Sequence, residues 1–101
     1  MGIAAQLSDD GMELIIRVTG RFDFSAHQEF RDAYESLSQQ PERYRIDLQE
    51  TSYLDSSALG MLLLLRDHAG GDGARVEIVN CNHEVRRIFD ISNFQQLFSI
   101  R

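Results

Sequence analysis

The strongest constraint in this sequence is the alternation of strand-like and helix-like segments along a chain of only 101 residues. The order β-β-α-β-α-β-α-β predicts one domain, residues 1–101, built on a sheet with right-handed parallel crossovers. Three helices are too few to cover both faces of that sheet. We therefore expect an α/β fold with a mixed β-sheet, an N-terminal hairpin and helices mainly on one face. Strands are predicted over residues 3–8, 13–19, 44–48, 75–79 and 97–100, and helices over residues 26–38 and 58–68, with a short third helix through Phe89.

Local signals place the turns between these elements. Asp10-Gly11 predicts a two-residue hairpin turn, and residues 20–24 are expected to form a loop. Ser25, followed three residues later by Gln28, predicts a capping box at the start of the first helix. Asn80 or Asn82 is expected to cap the last helix, since asparagine is common at that position.

Charge and composition argue against several functions. Ten arginines, no lysine and 16 acidic residues give a net charge of −6, so we expect no nucleic-acid partner. A single cysteine, Cys81, excludes an internal disulfide and a cysteine-based zinc site. The three histidines lie in different segments without ligand spacing, so neither a metal nor a cofactor is expected.

The apolar segment from Ala58 to Leu65 is far shorter than the roughly 20 residues that span a bilayer. The first residues also lack the basic and apolar regions of a signal peptide. We therefore expect a cytoplasmic protein with no membrane association.

The polar residues Asp55, Ser56 and Ser57 stand directly before that apolar segment. The unpaired N–H groups of a helix start attract oxygen acceptors and negative charge, so a phosphate on Ser56 would be stabilised there. Two interpretations stay open from the spacing alone: ordinary helix capping, or a modification or binding site. Residues 61–65 are apolar on every face of a helix, and the inner half is expected to fill the core against the sheet. The remaining exposed apolar residues, near Ala58, Met61 and Leu62, would form a docking patch beside Ser56.

Asp23 has two interpretations as well, a turn residue or a functional carboxylate. Its neighbours Phe22 and Phe24 are expected to divide between core and surface, but the sequence does not assign them. No histidine lies near these residues and Ser56 is not in a Gly-x-Ser-x-Gly turn, so we expect no enzymatic activity.

The segment Asp55-Ser56-Ser57-Ala58-Leu59-Gly60, preceded by the strand Tyr44–Leu48, resembles the signature of the STAS domain. Gly20-Arg21-Phe22-Asp23 resembles the Gly-x-x-Asp loop that the family often has before its first helix. The family includes bacterial anti-sigma factor antagonists and the cytoplasmic tails of sulfate transporters. Over nearly the whole chain, the resemblance is closest to small gamma-proteobacterial antagonists of partner-switching pathways.

The resemblance implies a STAS-like fold and a non-enzymatic function in transcription regulation. Such antagonists bind an anti-sigma factor or a serine kinase when unphosphorylated. The kinase phosphorylates the first serine of the motif, here Ser56, and a PP2C-type phosphatase removes the phosphate. Asp23, Asp55, Ser57, Ala58 and Met61 are the expected partner-binding residues. The alternative is a constitutive STAS scaffold or small-anion-binding module that regulates biofilm, motility or transport without phosphorylation.

Overall fold

A mixed sheet is built around one long strand in the computed structural model, which describes residues 2–101. Strand β2 (Glu13–Phe22) pairs antiparallel with β1 (Gly2–Leu7) on one side. Its first half pairs in parallel with β3 (Arg43–Asp47), followed by β5 (Val76–Val79) and β6 (Ser99–Ile100). The order β1-β2-β3-β5-β6 confirms the mixed sheet and the N-terminal hairpin.

Strand β4 (Thr51–Leu54) was not predicted. It pairs in parallel with the last three residues of β2, which had been expected to lie in a loop. Gly20 pairs with Thr51 and Arg21 with Tyr53, so Ser52 is the extra residue of a β-bulge. The bulge interrupts the inside–outside alternation, because two exposed residues separate buried Thr51 and Leu54. The alternating pattern that would identify a strand is therefore missing.

The helices α1 (His27–Glu35), α2 (Ser56–His68) and α3 (His83–Ile91) cover one face of the sheet. Register pairing places the buried sheet residues in two cross-strand rows on that face: Leu14, Tyr44 and Val76, then Ile16, Ile46 and Ile78. Apolar side chains from all three helices complete this core: Phe30, Tyr34, Ala58, Met61, Leu62, Leu65, Val85 and Phe89. This burial pattern agrees with the prediction that the helices lie mainly on one face.

The opposite face carries charged side chains instead of helices. Glu13 lies 3.7 Å from the Arg43 guanidinium and 3.5 Å from that of Arg45. Glu77 contacts Arg45 at 3.3 Å and Arg101 at 2.7 Å. Partial exposure keeps such pairs weakly stabilising, at about 0–1 kcal/mol each. This open face is therefore solvated and free of a covering layer in the described chain.

Two predicted turns differ in the structure. The hairpin loop spans residues 8–12 rather than two residues: the Asp10 carboxylate accepts from Ser8 Oγ and Met12 N, and Gly11 takes a positive φ of 74°. Ser25 is not the helix cap, and α1 covers residues 27–35 rather than 26–38. A 3₁₀ turn over Phe24–Ala26 precedes α1, and Asp23 caps that turn. Asp23 and Ser25 are both common cap residues and lie only two positions apart, so the sequence left the cap ambiguous.

The last helix follows the prediction that named Asn80 or Asn82 as its cap. The Asn82 side chain accepts from Val85 N at 2.9 Å, and its amide donates to the Thr51 carbonyl of β4 at 3.1 Å. Within residues 2–101, no helix combines the length and apolar character needed to cross a membrane.

Candidate functional site

Asp55 opens helix α2 and organises the residues that follow it. It has extended backbone geometry, and its carboxylate accepts from Ala58 N at 3.1 Å as a standard N-cap. The same oxygen accepts from the Ser57 hydroxyl at 2.7 Å. The helix therefore begins at Ser56 rather than at Ala58 as predicted, because the aspartate supplies the first cap.

Ser56 occupies the first position of α2 and is exposed to solvent. Within residues 2–101, its hydroxyl takes part in no side-chain hydrogen bond, whereas the half-buried Ser57 hydroxyl is bound to Asp55. Of these two adjacent serines, only Ser56 therefore presents a free and solvent-exposed hydroxyl. The free N–H groups of the first helical turn can stabilise negative charge placed at Ser56.

Asp23 forms a second turn of the same kind. Its carboxylate accepts from the Ser25 backbone N–H at 3.0 Å and from the Ser25 hydroxyl. The Arg21 Nε donates to its other oxygen at 3.3 Å. The Ser25 hydroxyl and the Arg21 guanidinium stabilise the charged form and lower the pKa of Asp23 below its usual range.

Parallel pairing of β2 and β4 brings the two turns together. Phe22 is in register with Leu54, so Asp23 and Asp55 leave their strands at adjacent positions. The Asp55 N–H donates to the Phe22 carbonyl at 3.4 Å, which extends the pairing to the turn. Neighbouring strands lie about 4.8 Å apart, so the two aspartates stand on adjacent strand ends beside the N-terminus of α2. Residues 32 positions apart in sequence therefore meet at one edge of the sheet.

The predicted exposure of Ala58, Met61 and Leu62 is wrong. Ala58 and Leu62 are fully buried and Met61 is 4% exposed, because these three side chains point toward the sheet. They stabilise the core and cannot form a docking surface in this state. The helix is apolar on nearly every side, so its sequence did not reveal which face is buried.

The outward face of α2 continues from Ser56 through Gly60 and Leu63, at helical spacing. Leu63 is 40% exposed, and a Cβ built on Gly60 would meet no described atom within 4 Å. This face therefore leaves an open shelf beside Ser56, which we call the Gly60 shelf and define by Ser56, Gly60 and Leu63. Beyond the backbone of α2 itself, no part of the chain in residues 2–101 approaches Gly60 closely.

Four further residues at this end of the molecule were missed or left unassigned. Phe22 is buried, whereas Phe24 is 71% exposed and stacks on His27 with ring centroids 5.4 Å apart. The Arg21 guanidinium lies 4.4 Å from the centre of the Tyr53 ring. An exposed aromatic beside a capped turn is typical of interface residues. Tyr53 lies on the short strand β4, which was not predicted, so no sequence signal placed its ring here.

No group of three or more His, Cys, Asp or Glu side chains within residues 2–101 is arranged to hold a metal ion. The single cysteine, Cys81, is half-buried, and burial raises the pKa of its thiol.

Residues 5–99 match the family described as "Mlab, STAS domain". The chain belongs to the STAS domain family. It is 62% identical over 100 residues to a STAS-domain containing protein of Pseudomonas aeruginosa, a match that covers 99% of each chain. It is 23% identical over 100 residues to the anti-sigma-B factor antagonist of Bacillus subtilis, covering 99% of this chain and 92% of that protein.

Among solved structures, this STAS domain is similar to the Bacillus anti-sigma factor antagonist SpoIIAA. The unphosphorylated form gives a TM-score of 0.76 at 17% identity, covering 99% of this chain and 87% of that one. The phosphorylated form gives 0.75 at 17% identity, covering 99% and 91%. These similarities confirm the antagonist-like STAS fold. The same fold also occurs in domains of sulfate transporters.

Proposed function

We propose that this STAS domain is a cytoplasmic anti-sigma factor antagonist that works by partner switching. With Ser56 unmodified, it binds an anti-sigma factor or a switch kinase. Phosphorylation of Ser56 releases it, and a PP2C-type phosphatase restores the binding form. The observation that carries the proposal is the exposed, unbonded Ser56 hydroxyl at a helix start, directly after Asp55 and beside the strand end that leads to Asp23.

The accessible hydroxyl supports phosphoryl transfer by a separate kinase. The Ser56 oxygen would attack the terminal phosphorus of ATP, its proton would pass to the kinase, and ADP would leave. Antagonists of this family are generally non-enzymatic, so ATP and any metal belong to the kinase and the phosphatase. Ser57 is the poorer acceptor, because its hydroxyl is half-buried and donates to Asp55.

Electrostatics supports release without unfolding. A phosphate adds about −1.5 to −2 charge at neutral pH, beside the Asp23 and Asp55 carboxylates. In the free domain water screens the phosphate from these carboxylates, whereas a docked partner excludes that water. Like charges about 4 Å apart then repel by a few kcal/mol more, at an effective dielectric near 20 instead of about 80, and each 1.4 kcal/mol is tenfold in affinity. Because the α2 N-terminus stabilises the same phosphate, the domain itself stays folded. We therefore expect the partner, not the fold, to be lost.

The proposal is tested with Ser56→Asp and Ser56→Ala, with Ser57→Ala as the matched control. Intact mass after incubation with ATP and a candidate kinase should show one added phosphate in wild type and Ser57→Ala, and none in Ser56→Ala. Ser56→Asp should bind the partner about 100-fold more weakly than wild type, equivalent to two factors of 1.4 kcal/mol. Its melting temperature should not fall, since a negative charge at a helix N-terminus is stabilising.

Tight binding by Ser56→Asp, together with no phosphate on the wild type, would contradict partner switching. That outcome would favour the alternative of a constitutive STAS scaffold. A melting temperature that falls together with binding would show that the variant acts through the fold rather than through repulsion.

A further inference from the structure

A cavity of about 420 Å³ lies far from Ser56, at the opposite end of the parallel strands. It opens where β3 and β5 begin, whereas Ser56 follows the end of β4. Its wall includes three arginines, Arg43, Arg45 and Arg75. This volume falls in the range of about 300–1,000 Å³ that is typical of small-molecule sites.

The arginines of this cavity have unused hydrogen-bonding capacity. In residues 2–101, none of the three side chains donates a hydrogen bond to another protein group. The buried Arg45 Nε forms an ion pair with Glu77 at 3.3 Å, and Glu13 lies 3.5 Å from the Arg45 guanidinium and 3.7 Å from that of Arg43. Arg75 has no carboxylate within 4 Å in the described chain. A ligand carboxylate would therefore supply hydrogen-bond acceptors that these guanidinium groups lack, above all Arg75.

The charge and shape of the cavity define the ligand class. Three arginines against Glu13 and Glu77 leave a lining charge of +1, in a chain whose net charge is −6. One negative charge balances that lining, whereas a dianion would be repelled by the two glutamates. Guanidinium groups match the two oxygens of a carboxylate, and Leu97 offers an apolar wall.

We propose that this cavity binds a small monocarboxylate with an apolar body. The carboxylate lies against Arg45 and Arg75, and the body packs along Leu97. The site is separate from the partner-switching surface, and its occupancy does not depend on the state of Ser56.

Benzoate is the probe, followed by amide proton–nitrogen correlation spectra of the full chain. Benzoate should give saturable shifts around Arg45 and Arg75 with a Kd of about 1 mM or lower. Benzyl alcohol has the same body without the charge, and acetate has the charge without the body. Each should bind at least about tenfold more weakly than benzoate, a difference of 1.4 kcal/mol.

Arg75→Gln should weaken benzoate about tenfold, because it removes a guanidinium that is free of ion pairs. Arg87→Gln is the matched control: it removes one exposed arginine, also without an ion pair in residues 2–101, from α3. Glu77→Gln should tighten binding by removing a repulsive charge. Ser56→Asp should leave the benzoate affinity unchanged, which separates this site from the proposed function.

Two results would overturn the proposal. One is the absence of saturable shifts at about ten times the expected Kd, where a one-site ligand should nearly fill its site. The other is an equal loss with Arg75→Gln and Arg87→Gln, which would mean general charge attraction. Correlation spectra of each variant without ligand show whether it has kept the native fold.

Discussion

The turns at Asp23 and Asp55 have the same local design but different surroundings. Each aspartate has extended backbone geometry and accepts from the hydroxyl of a serine two residues later, Ser25 or Ser57. In the first turn, Arg21 contacts the carboxylate. In the second, no cation lies within 4 Å of Asp55 in residues 2–101.

The residue in the middle of each turn also differs. Phe24 projects from the first turn and Ser56 from the second, and both are exposed. A neutralised turn that presents an aromatic ring suits constant contact with a partner. A turn with an uncompensated carboxylate beside a hydroxyl suits a contact that added charge can break. Under the proposed function, Phe24 would stay in contact with the partner, and we call it the anchor. Ser56 would be the residue whose phosphorylation breaks the contact, and we call it the switch.

After the loss of about 100-fold expected for Ser56→Asp, the next largest effect tests Phe24 as the anchor. Phe24→Ala should weaken partner binding by about 30-fold, because exposed aromatics at interface centres are common hot spots. The free energy of unfolding should change by less than about 0.5 kcal/mol, since the ring is largely solvent-exposed. Calorimetric titration and urea unfolding measure the two quantities.

Ile91→Ala is the control for Phe24→Ala. Ile91 is 76% exposed but ends α3, away from the two turns, and should leave partner affinity unchanged. Equal losses with both variants would remove the distinction between an anchor and an ordinary exposed apolar residue.

The next effect separates the structural roles of the two aspartates. Asp55→Ala should lower the free energy of unfolding by about 1 kcal/mol, because it leaves the 13-residue helix α2 without its N-cap. For a domain of this size, that corresponds to a fall in melting temperature of about 4–8 °C. Asp55→Asn should recover most of the loss, since asparagine also caps helices. Asp23→Ala should cost less, because it caps a three-residue turn; the reverse order would contradict the comparison.

A substitution at Gly60 tests whether the partner also covers the Gly60 shelf, next to the turn that carries Ser56. Gly60→Ala should raise the free energy of unfolding by up to about 1 kcal/mol, because alanine favours helix and the new methyl meets no neighbour. If the partner covers the Gly60 shelf, its affinity should fall although the free protein is more stable. Gly73→Ala adds a methyl in open space outside a long helix and should change neither quantity appreciably. Unchanged affinity with Gly60→Ala would place the partner elsewhere.

The smallest effect concerns pH. The Ser25 hydroxyl bond and Arg21 lower the pKa of Asp23 in the folded state relative to the unfolded chain. The ionised carboxylate therefore contributes stability above about pH 4, and this contribution disappears as pH falls through the lower folded pKa. The stability difference between wild type and Asp23→Asn should shrink between pH 5 and about pH 3 in urea unfolding. A constant difference would mean that the carboxylate charge has no role in the turn.

The sequence was sufficient to predict the order of most elements, although α2 begins two residues before its predicted start at Ala58. Period-two and helical spacing are local signals, and they identified strands β1, β2, β3 and β5 and all three helices. The position of Asp23 beside Asp55 is not a local signal. It depends on pairing between β2 and β4, and β4 was invisible because its bulge disrupts alternation. Only the family resemblance grouped Asp23 with Asp55, among the expected partner-binding residues.

The buried face of α2 shows a second limit. Five consecutive apolar residues, 61–65, give a helix no polar side from which to read its orientation. Packing against the sheet selected Met61, Leu62 and Leu65 for the core and left Leu63 and Leu64 outside. The open-face cavity likewise combines side chains from separate strands, so no single segment predicts it.

The bulge at Ser52 has a consequence for how this protein tolerates changes in length. Without Ser52, Thr51 and Tyr53 would be consecutive and would still face Gly20 and Arg21, so downstream pairing would survive the deletion. One extra residue between Leu54 and Asp55 would instead displace one acidic turn relative to the other. A change of length at Ser52 should therefore be tolerated, whereas a change between Leu54 and Asp55 should disturb the alignment of the two turns.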